Sequence, residues 1–372
     1  MFHGVTTTIV SRKLAALLTA ASLLSASPAL ACSSLQLSAA DGSTVVARTM
    51  DYNPAAFRFK VALAPRGRKI QSTNPDGTPG LSYTIKYASF GLPPIGAVTT
   101  PTDAMNEKGL TLAVQQLNSA YYATSVPSGK KTVALANVDL PLWLVSQFAT
   151  VDEVKENLDK VAIWTREQQP FHIVLFDAGG KGIVIEWVKS ATTGASVMNV
   201  HDNKVGVVTN DPTFDWHMTN LRNYVQITPG STHSKLFGDI TVTVPNMGSG
   251  SFGVPGDMTP PSRFVRLALQ RSSVTTPANA AAALTAVSHM INNVDVAVGT
   301  VRDSTNADAA YDVTIWTSLR DSKNGVYYIR TSDGLNFFKV ECRQLWDLQQ
   351  IKELTLDELQ RSGMSDVTSL LK

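Results

Sequence analysis

Beyond an apolar run near its start, the chain alternates apolar and polar positions in short segments separated by turn residues. Residues 34–39 and 44–48 flank Asp41-Gly42, which predicts a β-hairpin. Residues 110–115 alternate after the turn Glu107-Lys108-Gly109. Residues 140–149 are apolar with helical spacing, and Thr150 with Glu153 predicts a capping box opening a second helix to about Lys160. Residues 172–176 and 183–188 around Gly179-Gly180 predict another hairpin, and 204–209 a short strand. Helices are predicted over 262–270 and 277–292, three successive strands over 311–318, 325–331 and 336–341, and a polar-faced helix over 353–371. The Pro/Gly-rich stretches 74–79, 228–234 and 247–256 are predicted surface loops. Strands, then helices, then strands, joined by hairpins rather than alternating βα units, predict an α+β class. No repeat of solenoid or propeller length is present.

The apolar run itself reads as an address. Arg12 and Lys13 precede residues 14–24, which are almost wholly apolar and too short to span a bilayer comfortably. Small residues follow, ending Ala29-Leu30-Ala31, an A-x-A signal that places a cut between Ala31 and Cys32. The expectation is a cleaved signal peptide over 1–31, a single domain over 32–372, a periplasmic or secreted location, and no integral membrane anchor. Removing 1–31 takes away Arg12 and Lys13 and no acid, leaving 30 cationic and 30 anionic side chains. That balance argues against nucleic-acid binding, which needs many cations on one face. Two cysteines in 372 residues exclude a disulfide-built scaffold and a structural zinc site.

The cut would expose Cys32, and three readings of it are open. A lipoprotein anchor is one, although Ala29 and Leu30 stand in the wrong order for it. A nucleophile whose own α-amine is the base is the second, since a free α-amine has a pKa of about 7.7–8.0. A residue that merely begins the mature chain is the third. The hairpin would bring Arg48 and Asp51 beside Cys32, where a guanidinium lowers a thiol pKa and a carboxylate orients an amine. Asn210, at the end of an apolar strand before Asp211-Pro212, is placed to offer an amide donor to an oxyanion. Ser262 is an expected N-cap, with Arg263 in the first turn, where a cation opposes the helix dipole, so that it is either simply solvated or held by a buried acidic or thiolate partner. Gly248-Ser-Gly-Ser-Phe-Gly253 matches a dinucleotide fingerprint, but Val254-Pro255 follows where a helix is required. The six histidines show no metal-ligand spacing, so neither metal nor cofactor is expected. Cys342 reads as a buried apolar filler.

Taken together these segments resemble the choloylglycine hydrolase / penicillin V acylase family, whose members are cysteine N-terminal-nucleophile (Ntn) amidases. The resemblance rests on Cys32, Arg48-Thr-Met-Asp51, Asn106-Glu-Lys-Gly-Leu110 leading to Gln116-Leu-Asn118, Thr209-Asn-Asp-Pro-Thr-Phe-Asp-Trp216 continuing to Tyr224, and Pro255-Gly-Asp-Met-Thr-Pro-Pro-Ser-Arg-Phe264. It implies an αββα sandwich, two antiparallel sheets flanked by helices. It also implies linear-amide hydrolysis through an acyl-thioester. Cys32 would be the nucleophile, with Arg48 and Arg263 tuning the thiolate and Asp51 orienting amine and thiol. Asn210 and Asn118 would stabilise the oxyanion, and Met50 would line the acyl pocket. Tyr52 and Trp216, with Phe57, Phe59, Tyr121 and Tyr122, are aromatics that would hold a ring or fatty chain. The secreted front end resembles acylases for penicillin V and N-acyl-homoserine lactones more than bile-salt hydrolases, which are the alternative. A Cys32-lipidated, non-catalytic binding protein is the second alternative. By analogy with the family, the partners are a small amide substrate and further copies of the chain in a homotetramer.

Overall fold

The computed structural model describes residues 31–97, 100–168, 170–302, 304 and 310–372. The expected signal peptide over 1–31 lies outside the described residues except for Ala31. Two seven-stranded antiparallel sheets dominate. The first runs in space Val207–Val208, β1 (Ala31–Ser38), β2 (Thr44–Tyr52), Tyr311–Asp321, Val326–Thr331 and Phe338–Glu341, with Val301–Arg302 paired onto Tyr311–Asp321. The second runs Ser196–Asp202, Gly182–Lys189, Phe171–Phe176, Thr111–Gln116, Asp103–Asn106, Ser89–Gly91 and Ala62–Ala64.

Period-two alternation decides the layering. In the second sheet Ala113, Val174, Phe176 and Val184 pack toward Val46 of the first, whose other face carries Leu35, Val45 and Ala47. The second sheet's Leu112, Ile173, Leu175 and Ile185 point the other way and bury Leu140, Leu144 and Val145 of the helix Leu140–Gln147. Helices Pro260–Ser273 and Ala280–Asn292 bring Phe264, Leu267, Val287 and Ile291 into the cluster around β1 and β2. The result is the αββα arrangement, with β1 and β2 at its centre.

Several boundaries differ from the sequence reading. Both arms of the first hairpin are longer than expected, because cross-strand pairing carries β1 back to Ala31 and β2 on to Tyr52. Gly42 supplies the positive φ, 79°, that the turn requires. The strand expected over 204–209 is paired only at Val207–Val208. The helix expected over 353–371 is two short helices, Leu356–Arg361 and Thr368–Leu371, interrupted where Gly363 adopts φ 66°. Thr150 caps Glu153 N as expected, but the Glu153 carboxylate returns to Ala149 N; the reciprocal box forms instead at Thr355 and Glu358. Ser262 is not the N-cap: Thr259 is, with Pro260 and Pro261 opening the helix. A short hairpin, Lys235–Phe237 with Ile240–Val242, leaves Leu236, Phe237, Ile240 and Val242 exposed within the stretch between the two loops. Among the described residues no helix is long and apolar enough to cross a membrane.

Candidate active site

The extended hairpin register sets the site. Cys32 pairs with Met50, Ala31 with Asp51 and Ser34 with Arg48. Side chains alternate, so the even-numbered Arg48 and Met50 share a face with Cys32. Arg48 Nη2 lies 3.8 Å from Cys32 Sγ and 3.4 Å from Met50 Sδ, while Met50 Sδ is 3.8 Å from Cys32 Sγ. The Arg48 side chain is fully buried, donates to the Thr102 and Val114 carbonyls, and stacks over Trp316 at 5.1 Å.

The backbone of Cys32 is gripped from a second direction. Its N–H donates to Asn210 Oδ1 at 2.5 Å, and its carbonyl accepts from Arg263 Nη1 at 2.8 Å. Arg263 Nη2 also donates to Asn210 Oδ1, at 2.9 Å, and Nη1 reaches Ser33 Oγ. One turn into its helix, Arg263 is wholly buried rather than solvated. Its direct partners are neutral oxygens; Asp51 and Cys32 act on it through space. Asn210 is therefore an acceptor toward Cys32. Its amide NH₂, expected to await an oxyanion, is donated to the Gln116 carbonyl at 2.9 Å.

Burial decides the electrostatics. Cys32 is sunk among Met50, Phe59 and Trp316, and loss of solvent pushes its thiol pKa up. Arg48 and the Asp51 backbone N–H pull it down and the Asp51 carboxylate pushes it further up, so the net shift is upward. The thiolate expected from Arg48 alone is thus outweighed in this state, where Cys32 N is a peptide nitrogen. Asp51 is buried too, accepting from Thr49 Oγ1 at 3.0 Å and Thr314 Oγ1 at 2.5 Å. Burial raises its pKa to about 7, against the pull of Arg263. A raised folded-state value means the stability tied to Asp51 is fully present below the ordinary value of 3.8 and is lost as pH rises through about 7. Asp51→Asn should remove that loss. Its melting midpoint should gain on the wild type by on the order of 5 °C between about pH 5 and about pH 8, in chains carrying Ala31. Parallel midpoint curves for the two proteins would contradict this.

The other expected residues divide. Asn118 is exposed; its N–H donates to Asp211 at 2.6 Å, and its side-chain oxygen accepts from Gln116, so it lies beside the Asn210 turn rather than in the buried cluster. Tyr52 is half-buried and packs on Phe57 at 4.9 Å. Trp216 is 43% exposed and meets His217 edge-on. Tyr122 is structural: it is buried, stacks on Trp187 and donates to the Phe171 carbonyl.

Three further residues support the site, and two of them, Asp103 and Thr314, escaped the sequence reading. Asp103 sits beneath Arg48 at 3.7 Å, bridged to Arg320 at 2.8 Å and hydrogen-bonded by Tyr327, and so joins the two sheets. Deleting one member of such a buried set typically costs about 3–5 kcal/mol. Thr314 holds Asp51. His217 Nε2 lies 2.8 Å from the Asn210 carbonyl, and its ring stacks on Phe264. Burial lowers its pKa to about 4, so the neutral imidazole donates there. The available signal was a lone charge inside an apolar strand at Asp103; nothing in the sequence marked Thr314.

Comparison with known proteins places this geometry. The profile of the linear amide C–N hydrolases, choloylglycine hydrolase family, matches residues 32–353 and so begins at Cys32. A bile salt hydrolase/transferase of Clostridium perfringens is 34% identical over 314 residues, 82% of this chain and 90% of that protein. A crystal structure of a conjugated bile acid hydrolase from Clostridium perfringens superposes with TM-score 0.71 at 30% identity, covering 87% of this chain and 96% of that one. A penicillin V acylase of Pectobacterium atrosepticum is 25% identical over 325 residues, 81% of this chain and 77% of that protein. The order expected from the secreted front end is reversed, with the bile salt hydrolase nearer than the acylase.

Proposed function

Because the chain belongs to the choloylglycine hydrolase family of linear amide C–N hydrolases, we propose that Cys32 is its nucleophile and that removal of residues 1–31 as a secretion signal, delivering the enzyme to the periplasm or beyond, frees the α-amine that serves as base. The observation that carries the reading is the convergence on one residue: Arg48 on the sulfur, and Asn210 with Arg263 on the backbone nitrogen and carbonyl.

In this scheme the Cys32 thiol gives its proton to the α-amine as sulfur attacks the amide carbonyl. The tetrahedral adduct collapses when the ammonium returns that proton to the departing amine, leaving an acyl-thioester. Water, deprotonated by the same amine, then releases the acid and restores the thiol. Asn210 Oδ1 accepts from the amine and fixes its lone pair toward sulfur. The oxyanion takes a donor from the Asn118 side chain; losing one such donor typically costs about 10²–10³ in kcat.

For the acyl group, the nearer relatives favour conjugated bile acids, and the apolar surroundings of Cys32, with Met50 and Phe59, suit a large hydrophobic acid. Steady-state kinetics on glycocholate, penicillin V and a long-chain N-acyl-homoserine lactone test this. Glycocholate should give the highest kcat/KM by at least about tenfold. A higher value for either other substrate would overturn the assignment of substrate while leaving the amidase reading intact.

A further inference from the structure

Away from Cys32, the second sheet holds a carboxylate that the proposed reaction does not use. Glu186 lies mid-strand in Gly182–Lys189 and is fully buried. Its Oε1 accepts from Phe214 N at 3.0 Å and lies 3.0 Å from His172 Nδ1. Its Oε2 is ion-paired with His201 Nε2 at 3.5 Å, a separation too long for a good hydrogen bond, and neither atom has another hydrogen-bond partner. A buried carboxylate oxygen held only by so long a contact leaves room for a closer cationic partner between the two atoms. Asp215, in the first turn of the helix Phe214–Leu221, completes the group: one ligand atom from each of Glu186, His201 and Asp215 lies within 4.8 Å of the others. Asp215 Oδ1 is occupied by Thr213 Oγ1 and Trp216 N, which leaves Oδ2.

We propose that Glu186, His201 and Asp215 bind one divalent transition-metal ion of the Zn²⁺ class. One imidazole and two carboxylates supply borderline and hard donors and two negative charges, a set that suits Zn²⁺ better than Ca²⁺ or Mg²⁺. Ligands about 2.0–2.2 Å from a tetrahedral zinc lie roughly 3.3–3.6 Å apart, the spacing already present between Glu186 and His201. The two donors on Glu186 Oε1 act as an outer shell that aims Oε2 outward. The His201 side chain, on the edge strand Ser196–Asp202, is 24% exposed and Asp215 is exposed, so an ion enters without opening the core. Bound there, it would tie that edge strand to the start of the helix and brace the turn carrying Asn210. The histidines showed no metal-ligand spacing in the sequence because these ligands come from two strands and a helix that only the fold assembles.

The test is to strip the purified protein with a chelator, titrate it with Co²⁺ as an optical probe, and measure Zn²⁺ by equilibrium dialysis. One ion per chain is expected, with micromolar affinity, a visible d–d band and no thiolate charge-transfer band. His201→Phe should weaken binding by at least about 100-fold and Asp215→Asn by about tenfold, with Cys32→Ser unchanged. Saturating Zn²⁺, at about 100 times Kd, should raise the melting midpoint of the wild type and not of His201→Phe. Asp215 is on the surface, so its variant remains informative if His201→Phe disturbs packing on Phe214. No binding at about 1 mM metal, equal affinity in both ligand variants and the wild type, or binding lost in Cys32→Ser would overturn the proposal.

Discussion

Cys32→Ser should leave the melting midpoint within a few degrees of the wild type and lower kcat on any amide substrate by roughly 10⁴-fold or more. The stability half follows from the contacts. The polar contacts of Sγ are long, Met50 Sδ and Arg48 Nη2 both at 3.8 Å, so a hydroxyl of similar size in its place costs little. The catalytic half follows from acidity. An α-amine near pH 8 can take a proton from a thiol, whereas an alcohol holds its proton far more tightly. Arg48 cannot rescue the alkoxide, because the same burial that raises the thiol pKa penalises a hard oxyanion more strongly. Amine release under saturating substrate, with a thermal scan of the same preparation, checks both halves. A serine variant within tenfold of the wild-type kcat would remove Cys32 from the mechanism.

The second large effect concerns the residue before Cys32. With Ala31 attached, β1 continues past Cys32 and the register pairs Ala31 with Asp51. Cys32 N is then a peptide nitrogen, whose hydrogen bond to Asn210 Oδ1 consumes its one proton and whose lone pair is delocalised into the carbonyl. The site in this form has no base at the sulfur and a thiol whose pKa burial has raised. Hydrolysis of the Ala31–Cys32 bond repairs both defects. It creates an amine with an ordinary pKa of about 7.7–8.0, and its protonated form adds a positive charge that favours carboxylate at Asp51 and thiolate at Cys32. Retaining Ala31 should therefore cost about 10³-fold or more in kcat.

Much of this site was legible in the sequence because its parts lie at strand and helix ends marked by local chemistry. Asp41-Gly42 set the hairpin, and the hairpin brought Arg48 and Asp51 to Cys32; Arg263 is buried, but on neutral oxygens rather than the acid or thiolate expected. What the sequence could not carry was long-range. The sulfur's net pKa depends on apolar residues from distant segments, including Phe59 and Trp316. The commitment of the Asn210 NH₂ to Gln116 depends on how closely two sheets approach. The short strands Ser89–Gly91 and, at the sheet edge, Ala62–Ala64 have too few residues to show a period, and they form because neighbouring strands supply their hydrogen bonds. Gly363 broke the last helix where its polar pattern continued.

The decisive measurement compares two preparations of one sequence, the first beginning at Cys32 and the second keeping Ala31 ahead of it, each verified by intact mass and assayed for kcat on the same amide. The account predicts turnover confined to the first, with an unmodified sulfur, and recovery of the second when Ala31 is removed by an aminopeptidase. Comparable turnover in both, or a diacylglycerol adduct on Cys32 in the active protein, would contradict it.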